Sequence, residues 1–580
     1  MSSSARSQSP DAAAPGDPTG PGEPQAVGKS PGAIRADGRR NDVRARAARF
    51  AIVFAVVGAA FSSVAVQLVR LGLSEPTSVR TSITHPVSET FARPDIVDRN
   101  GHLLATDVVM QSLFADPSRL LSVGETLEEL SRILPEIDTP ALRRQLSNRN
   151  RRFEWIKRGL SPATAQRILE LGLPGLAFKP EPHRSYPQGR LAGHLIGSVN
   201  IDNKGLSGIE RHIDEAVGIE RVVGEPRPLE RRVRLTLDLA VQAAVEAELA
   251  AAVRTFGAQA ACAVVIDAKS GAVRAAASLP RVDPADPVTA QDPANLDRLR
   301  HGTYELGSIF KALTIAMALE RRTATPRTVF DVRRPIAIGR YTISDFHSAG
   351  RPLTVEEIFV HSSNIGAGLI ALEVGAEAQR ATLDRFGLLT PLATEAGPTA
   401  APQVPDHWGR AEVATIGFGH GLAVTPLHFA RAGAILVNGG FDVTPRFIEE
   451  DAARPASSPH RIISGPISAE IRRLMRLNVT DPSGSGRRAD VPGYRVGGKT
   501  GTADLAAGGE YDGRAVVTSF FATFPSDEPT YVVLVTLYDP KPVGPSRSRT
   551  AGVNAAPTAG AIIARAAPLL GVERRAPSGH

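Results

Sequence analysis

From Phe50 to Val69 the chain runs for 20 residues without a charged side chain. As an α-helix such a run is about 30 Å long, the thickness of a bilayer's hydrocarbon core. Just before it, residues 35–49 carry Arg35, Arg39, Arg40, Arg44, Arg46 and Arg49 against two aspartates. Basic residues crowded on one flank predict a single anchor helix over 50–72 with a cytoplasmic N-terminus. Everything from about residue 73 then lies outside the cytoplasm. A cleaved signal peptide fits less well, because its basic and apolar regions are normally shorter. Residues 1–34 are rich in Ser, Pro, Gly, Ala and Asp without apolar periodicity, so 1–49 reads as a disordered basic tail.

The remaining length is ample for several domains. Hydrophobic residues are 42% and charged residues 22% of the chain, which is ordinary for a globular protein and excludes a multi-span transporter. The net charge of +7 is scattered, so nucleic-acid binding is a weak reading. Cys262 is the single cysteine, which excludes an intrachain disulfide framework and a cysteine zinc site; its apolar setting reads as a small buried hydrophobe. Of 67 basic residues only 8 are lysines, so chemistry that needs a neutral amine has few candidates.

Residues 73–235 read as an extended, mixed region. Asn100-Gly101 between apolar runs signals a hairpin. Short helices are expected near 124–134, 139–147 and 161–171. A Gly-rich stretch from Ser185 to Glu210 offers no obvious reactive set. From 236 to 571 the pattern changes: strand-like runs at 258–266 and 272–278, helical sequence over 308–480, strands at 494–503, 515–523 and 530–538, and a helix over 556–570. That order predicts an α+β domain with an antiparallel sheet, followed by a disordered 572–580. Thr425-Pro426 is a helix start and Gly439-Gly440 its stop. In the loop Gly417-Phe-Gly-His-Gly421, a conformational role for the glycines is preferred to chemistry at His420.

Three short patterns carry chemistry. Ser308-Ile-Phe-Lys311 opens an apolar helix, so hydroxyl and amine share a face. Burial lowers a lysine's pKa, which makes the pair a workable nucleophile and base. Ser362-Ser363-Asn364 offers a proton-relaying hydroxyl and an amide. Lys499-Thr500-Gly501-Thr502 on an edge strand offers charge and hydroxyls to a carboxylate, and the N–H of Thr502 with that of Ser308 suits an oxyanion. Ser198-Val-Asn200 and Lys269-Ser-Gly271 match two of the patterns but stand outside the order. Each pattern alone is weak; the three in sequence are the signature of penicillin-binding proteins and serine β-lactamases.

Over roughly 70–571 the chain resembles the class B penicillin-binding proteins, and most closely the FtsI type of bacterial division. Asp98-Arg-Asn-Gly101, Gly205-Leu-Ser-Gly-Ile-Glu210 and Leu235-Thr-Leu-Asp238 extend the likeness. Leu306 stands where the family usually has Pro, and Gly497-Gly498 where it has Ala-Gly. The resemblance implies a transpeptidase domain of the penicillin-binding/serine β-lactamase fold on a non-catalytic, dimerisation-type pedestal. The substrate would be the D-Ala-D-Ala end of a peptidoglycan stem peptide, and β-lactams would acylate the same serine. Ser308 would attack, Lys311 would take its proton, and Ser362 would pass one to the leaving group. Asn364 would hold the donor peptide; Lys499, Thr500, Gly501 and Thr502 would bind the terminal carboxylate. No metal or cofactor is implied. The expected setting is the inner membrane at the division site, with the catalytic domain in the periplasm and a membrane glycosyltransferase and other division proteins as partners. An elongation-type role is the alternative. A β-lactamase or D,D-carboxypeptidase is less favoured, since no deacylating Glu-x-x-Leu-Asn lies between 364 and 499, and a β-lactam sensor or a non-catalytic scaffold still less.

Overall fold

A computed structural model describes residues 54–67, 90–217, 220–222, 232–339, 341–449, 460–507, 510–544 and 547–575. Residues 1–86 and 87–580 are separate units. In the first, residues 54–67 are helical, with Phe54 and Phe61 exposed. Fourteen residues make about 21 Å of helix. The rest of the expected anchor, and the expected disordered tail, lie outside the described residues. Among the described residues no helix is long and apolar enough to cross a membrane.

In the second unit the early region is built on one long strand, Leu103–Ala115, paired antiparallel with Leu176–Ser185 and with Glu154–Leu160. The Asn100-Gly101 hairpin forms as expected, with Gly101 at φ +89° and Asp95–Val97 paired to the start of the long strand. Helices Val123–Ser131, Pro140–Ser147 and Pro162–Glu170 begin at the caps Ser122, Thr139 and Ser161, whose hydroxyls accept backbone N–H groups. Proline occupies the first turn of the last two. Their apolar faces close a small core with Leu113, Leu127, Leu130, Leu146 and Ile168.

The larger region has five antiparallel strands: Ala260–Asp267 (β1), Val273–Leu279 (β2), Gly497–Ala507 (β3), Glu510–Phe524 (β4) and Tyr531–Tyr538 (β5), in the order β3-β4-β5-β1-β2. Both sheet faces are covered. Cys262, Val264 and Ile266 of β1 join one core; Ala261, Ala263 and Val265 join the other. Helices Leu239–Phe256 (α1) and Ala555–Leu569 pack on the second face; Lys311–Glu320 (α2) and Pro426–Val437 (α3) pack on the first. Thr425 caps α3 and Gly439 follows it at φ +98°, as the sequence indicates. Cys262 is buried against the Tyr538 hydroxyl, and burial pushes its thiol up to about 12.

The structure differs from expectation in three places. β3 and β4 run on to Ala507 and from Glu510, because backbone pairing continues past the apolar residues. Four strands of two or three residues (Val329–Phe330, Ile336–Ile338, Tyr341–Ile343, Leu353–Thr354) interrupt the expected helical stretch. Val572–Arg575 is held in place, Arg575 donating to the Gly493 carbonyl at 2.8 Å and pairing with Asp527 and Glu528, although 572–580 is expected to be disordered. Residues 576–580 lie outside the described residues.

The hairpin locks the two regions together. Asp98 accepts the Leu239 N–H at 3.0 Å and the Asn100 and His102 N–H groups at 2.8 Å each. Asp238 caps α1 and accepts from the Asn100 amide at 3.1 Å.

Candidate active site

Ser308 sits in a tight 3₁₀ turn, Gly307–Phe310, that leads into α2. Three backbones meet there. Gly307 takes φ +61°, and a Cβ on it would lie 2.5 Å from the Thr502 carbonyl of β3. A Cβ on Gly419 would strike the Gly307 carbonyl, and one on Gly501 the Leu306 carbonyl. The glycines of the 417–421 loop thus serve close approach. The His420 ring packs on Phe418, and burial holds its pKa below the usual histidine value.

Lys311 is fully buried at the first turn of α2. Its Nζ donates to Ser308 Oγ at 2.9 Å, the Ser362 carbonyl at 2.6 Å, Asn364 Oδ1 at 2.8 Å and lies 3.2 Å from Ser362 Oγ. Lys499 of β3 is equally buried and its Nζ reaches Ser362 Oγ at 2.9 Å. Ser362 therefore bridges two lysines. It has φ +61° and ends helix Val355–His361; Ser363 caps the next helix, Asn364–Val374 (α4). Burial, then the neighbouring Lys499 charge, push the Lys311 pKa well below the usual lysine value, with Asp345 opposing. Burial lowers Lys499 to about 7. The serine thus faces an amine whose charged form is disfavoured, beside a second amine that can carry a proton near pH 7.

Thr500 lies beside Lys499 on β3, its hydroxyl 3.4 Å from Lys499 Nζ and 2.6 Å from Ser485 Oγ. Thr502 Oγ1 accepts the Ala551 N–H at 3.1 Å. A Cβ on Gly307 would lie 3.1 Å from the Thr502 nitrogen, so that N–H is beside the serine turn. All eight sequence-predicted residues are brought to the junction of α2, β3 and the 362–364 turn. The two stray matches are not: Asn200 Oδ1 accepts the N–H groups of Asp202 and Lys204 in a surface turn, and Lys269 is in the β1–β2 turn.

Sequence reasoning missed two residues. Asp345 accepts the Asn364 and Ile365 N–H groups at 2.5 and 2.9 Å and the Ser363 hydroxyl at 2.7 Å. Ser485 hydrogen-bonds Thr500 while Asn478 Oδ1 accepts its N–H at 3.2 Å. Neither stands at a fixed offset from its partners, so spacing carries no signal for them. The Ala-to-Gly departure also has a cause: a Cβ on Gly497 would lie 3.0 Å from Ser526 Cβ and 3.1 Å from the Arg476 nitrogen. Among the described residues no His/Cys/Asp/Glu cluster suits a metal ion.

The family described as the penicillin binding protein transpeptidase domain matches residues 261–564, and the penicillin-binding protein dimerisation domain matches 89–224. The probable peptidoglycan D,D-transpeptidase FtsI of Caulobacter vibrioides is 39% identical over 83% of this chain and 82% of its own. The peptidoglycan D,D-transpeptidase FtsI of Escherichia coli K12 is 29% identical over 81% and 82%. The crystal structure of penicillin binding protein 3 of Mycobacterium tuberculosis, complexed with ampicillin, superposes with a TM-score of 0.67 at 25% identity, covering 85% of this chain and 98% of that one. The chain belongs to the class B penicillin-binding proteins of the FtsI type. It is a serine D-Ala-D-Ala transpeptidase of peptidoglycan synthesis.

Proposed function

We propose that Ser308 is the nucleophile of a septal D,D-transpeptidase and that Lys311 is its base. The observation that carries this reading is the Lys311 amine, buried, 2.9 Å from Ser308 Oγ and held below its usual pKa. Ser308 Oγ bonds to the carbonyl carbon of the penultimate D-Ala while its proton passes to Lys311 Nζ. The oxyanion rests on the Ser308 and Thr502 N–H groups. The C–N bond to the terminal D-Ala then breaks, and that nitrogen takes the Ser362 proton. Lys499, bonded to Ser362 Oγ, resupplies it. Asn364 holds the donor peptide, and Lys499, Thr500 and Thr502 hold its terminal carboxylate, with Gly501 giving the strand its close approach. Lys311 passes its proton back through Ser362 to Lys499, which resets both amines. An acceptor amine then attacks the ester and gives its proton to Lys311, which returns it to Ser308 Oγ as the ester C–O bond breaks.

Penicillins acylate the same serine in this reading; the ampicillin complex of the mycobacterial relative supports it. The division role rests on relatives named FtsI, and elongation is the alternative. Residues 1–49 are a cytoplasmic basic tail, 50–72 an anchor in the inner membrane, 73–235 the pedestal and 236–571 the catalytic domain in the periplasm. A membrane glycosyltransferase and other division proteins complete the assembly.

The test is labelling of the full-length protein with a fluorescent penicillin. Stable labelling lost in Ser308→Ala is expected; labelling that survives that change would sink the assignment. Depletion in cells should give filaments, and rounded cells would favour elongation.

A further inference from the structure

We propose that Asp345 is a positioning residue of the transpeptidation site, fixing the Ser362–Asn364 turn on which the Lys311 amine rests and setting the charge balance around it. The proposal rests on the reading of Ser308 and Lys311 as nucleophile and base.

The turn is a demanding piece of backbone. Helix Val355–His361 ends at Ser362 in the left-handed region, and α4 starts two residues later. The first N–H groups of a helix have no partner within it. Here Asn364 and Ile365 give theirs to Asp345 Oδ1, and Gly366 gives its own to Ser363 Oγ at 2.9 Å. The Ser363 hydroxyl then donates to Asp345 Oδ2. One carboxylate thus holds three consecutive residues, from a helix N-terminus that favours negative charge.

That turn supplies most of what Lys311 touches: the Ser362 carbonyl, the Ser362 hydroxyl and Asn364 Oδ1. The Asn364 amide is oriented from the same side, its Nδ2 donating to the Ser344 carbonyl at 3.3 Å. The carrier is a small ribbon, Ile336–Ile338 paired with Tyr341–Ile343. Ile343 is buried with Ala367 of α4, Ala414 and Phe418, which fixes the ribbon against the turn two residues ahead of Asp345.

Charge points the same way. Lys311 is faced by Lys499 from β3, Asp345 from the ribbon and His420 from the 417–421 loop, and His420 in turn feels Glu305 and Asp504. Burial and Lys499 both disfavour the Lys311 charge, and Asp345 opposes them. Removing the Asp345 charge therefore lowers the Lys311 pKa further. The base then stays unprotonated to lower pH, so the acid limb of the rate profile moves down.

The experiment measures second-order acylation of the full-length protein by a fluorescent penicillin from pH 5 to 9, with unfolding followed in parallel. Asp345→Asn keeps an acceptor for the two N–H groups but loses the charge and the Ser363 acceptor. The expected result is about tenfold slower acylation with the acid limb about half a pH unit lower. Ser363→Ala, which alters no charge, should slow acylation with its limb unmoved, and it serves alone if Asp345→Asn does not fold. Wild-type rate and limb in Asp345→Asn would overturn the proposal. So would an equal loss at every pH, which a helix cap alone gives, or a wild-type rate in Ser363→Ala. If wild-type labelling does not depend on Ser308, the underlying reading fails instead.

Discussion

Two buried charge clusters stand in one chain and are built on opposite rules. In the early region Arg93 and Arg184 are fully buried around Glu210, with Nε–Oε distances of 2.9 and 2.6 Å. Arg184 also pairs with Asp107 at 3.1 Å, and Arg93 with Asp214. Asn203 donates to Asp107 at 3.0 Å and Gly205 to Asp214 at 2.6 Å. Burial works against the Arg184 charge, yet Glu210 and Asp107 outweigh it and raise its pKa. In the active site two buried lysines face one carboxylate, and their pKa values fall. Burial is the same in both places; the number of opposite charges decides the outcome. A cluster with more carboxylates than cations keeps its arginines charged and fastens a fold, whereas one with too few keeps an amine ready to take a proton.

The comparison breaks first at Lys311. Lys311→Met removes the base but fills its space with apolar atoms. Acylation of Ser308 should fall by about 10⁴-fold, the upper end for general-base loss, while the unfolding temperature holds or rises. A fall in both would mean that the lysine is a structural charge. The counterpart is Glu210→Ala, which leaves the buried Nε groups of Arg93 and Arg184 without an acceptor, each guanidinium keeping only its aspartate as counter-ion. That should cost about 3–5 kcal/mol of stability by denaturant unfolding. The acylation rate of the protein still folded should not change, and a parallel loss of rate would show the clusters to be coupled.

Lys499 sharpens the contrast through pH. Its folded pKa, about 7, lies below the unfolded value, so between roughly pH 7 and 10 the unfolded chain binds one more proton. Stability attributable to Lys499 therefore rises with pH through that window, at about 1.4 kcal/mol per unit. Lys499→Met should remove that slope from the unfolding free energy. A slope that persists belongs to another group.

The sequence makes the reactive pair legible because an i, i+3 helix spacing places hydroxyl and amine together whatever the rest of the fold does. The strands of the central sheet are legible because β1 and β5 are apolar on both faces. The Arg93–Glu210 pair is not, since its partners lie 117 residues apart and only the folded chain brings them together. Asp345 is hidden for the same reason: it reaches Ser363 from just beyond a two-strand ribbon, across 18 residues of sequence. Glu210 in the Gly-rich stretch and Asp98 in the hairpin turn are visible as motif residues, but their work is done by contacts that spacing cannot show.

Asp98 gives the smallest and most discriminating effect, because it belongs to neither cluster. It is buried, and burial raises its pKa, but the Leu239, His102 and Asn100 N–H groups and the His102 ring outweigh that and hold it below the usual carboxylate value. Backbone donors here do what arginines do for Glu210. One of them is the first N–H of α1, so the carboxylate also helps start the helix that covers the sheet. Asp98→Ala should cost about 1 kcal/mol at pH 7, the usual worth of such a cap. The pH dependence separates cap from charge. A depressed carboxylate contributes above its unfolded pKa, and that contribution is lost as pH falls through the folded one. The gap between wild type and Asp98→Ala should therefore be constant from pH 8 to 5 and narrow below about pH 4. A gap that stays open in acid would mean that Asp98 acts by filling space. A gap that closes would show that hydrogen-bond donors can hold a buried charge without a cation, whereas the acceptors and the one carboxylate around Lys311 do not offset its burial.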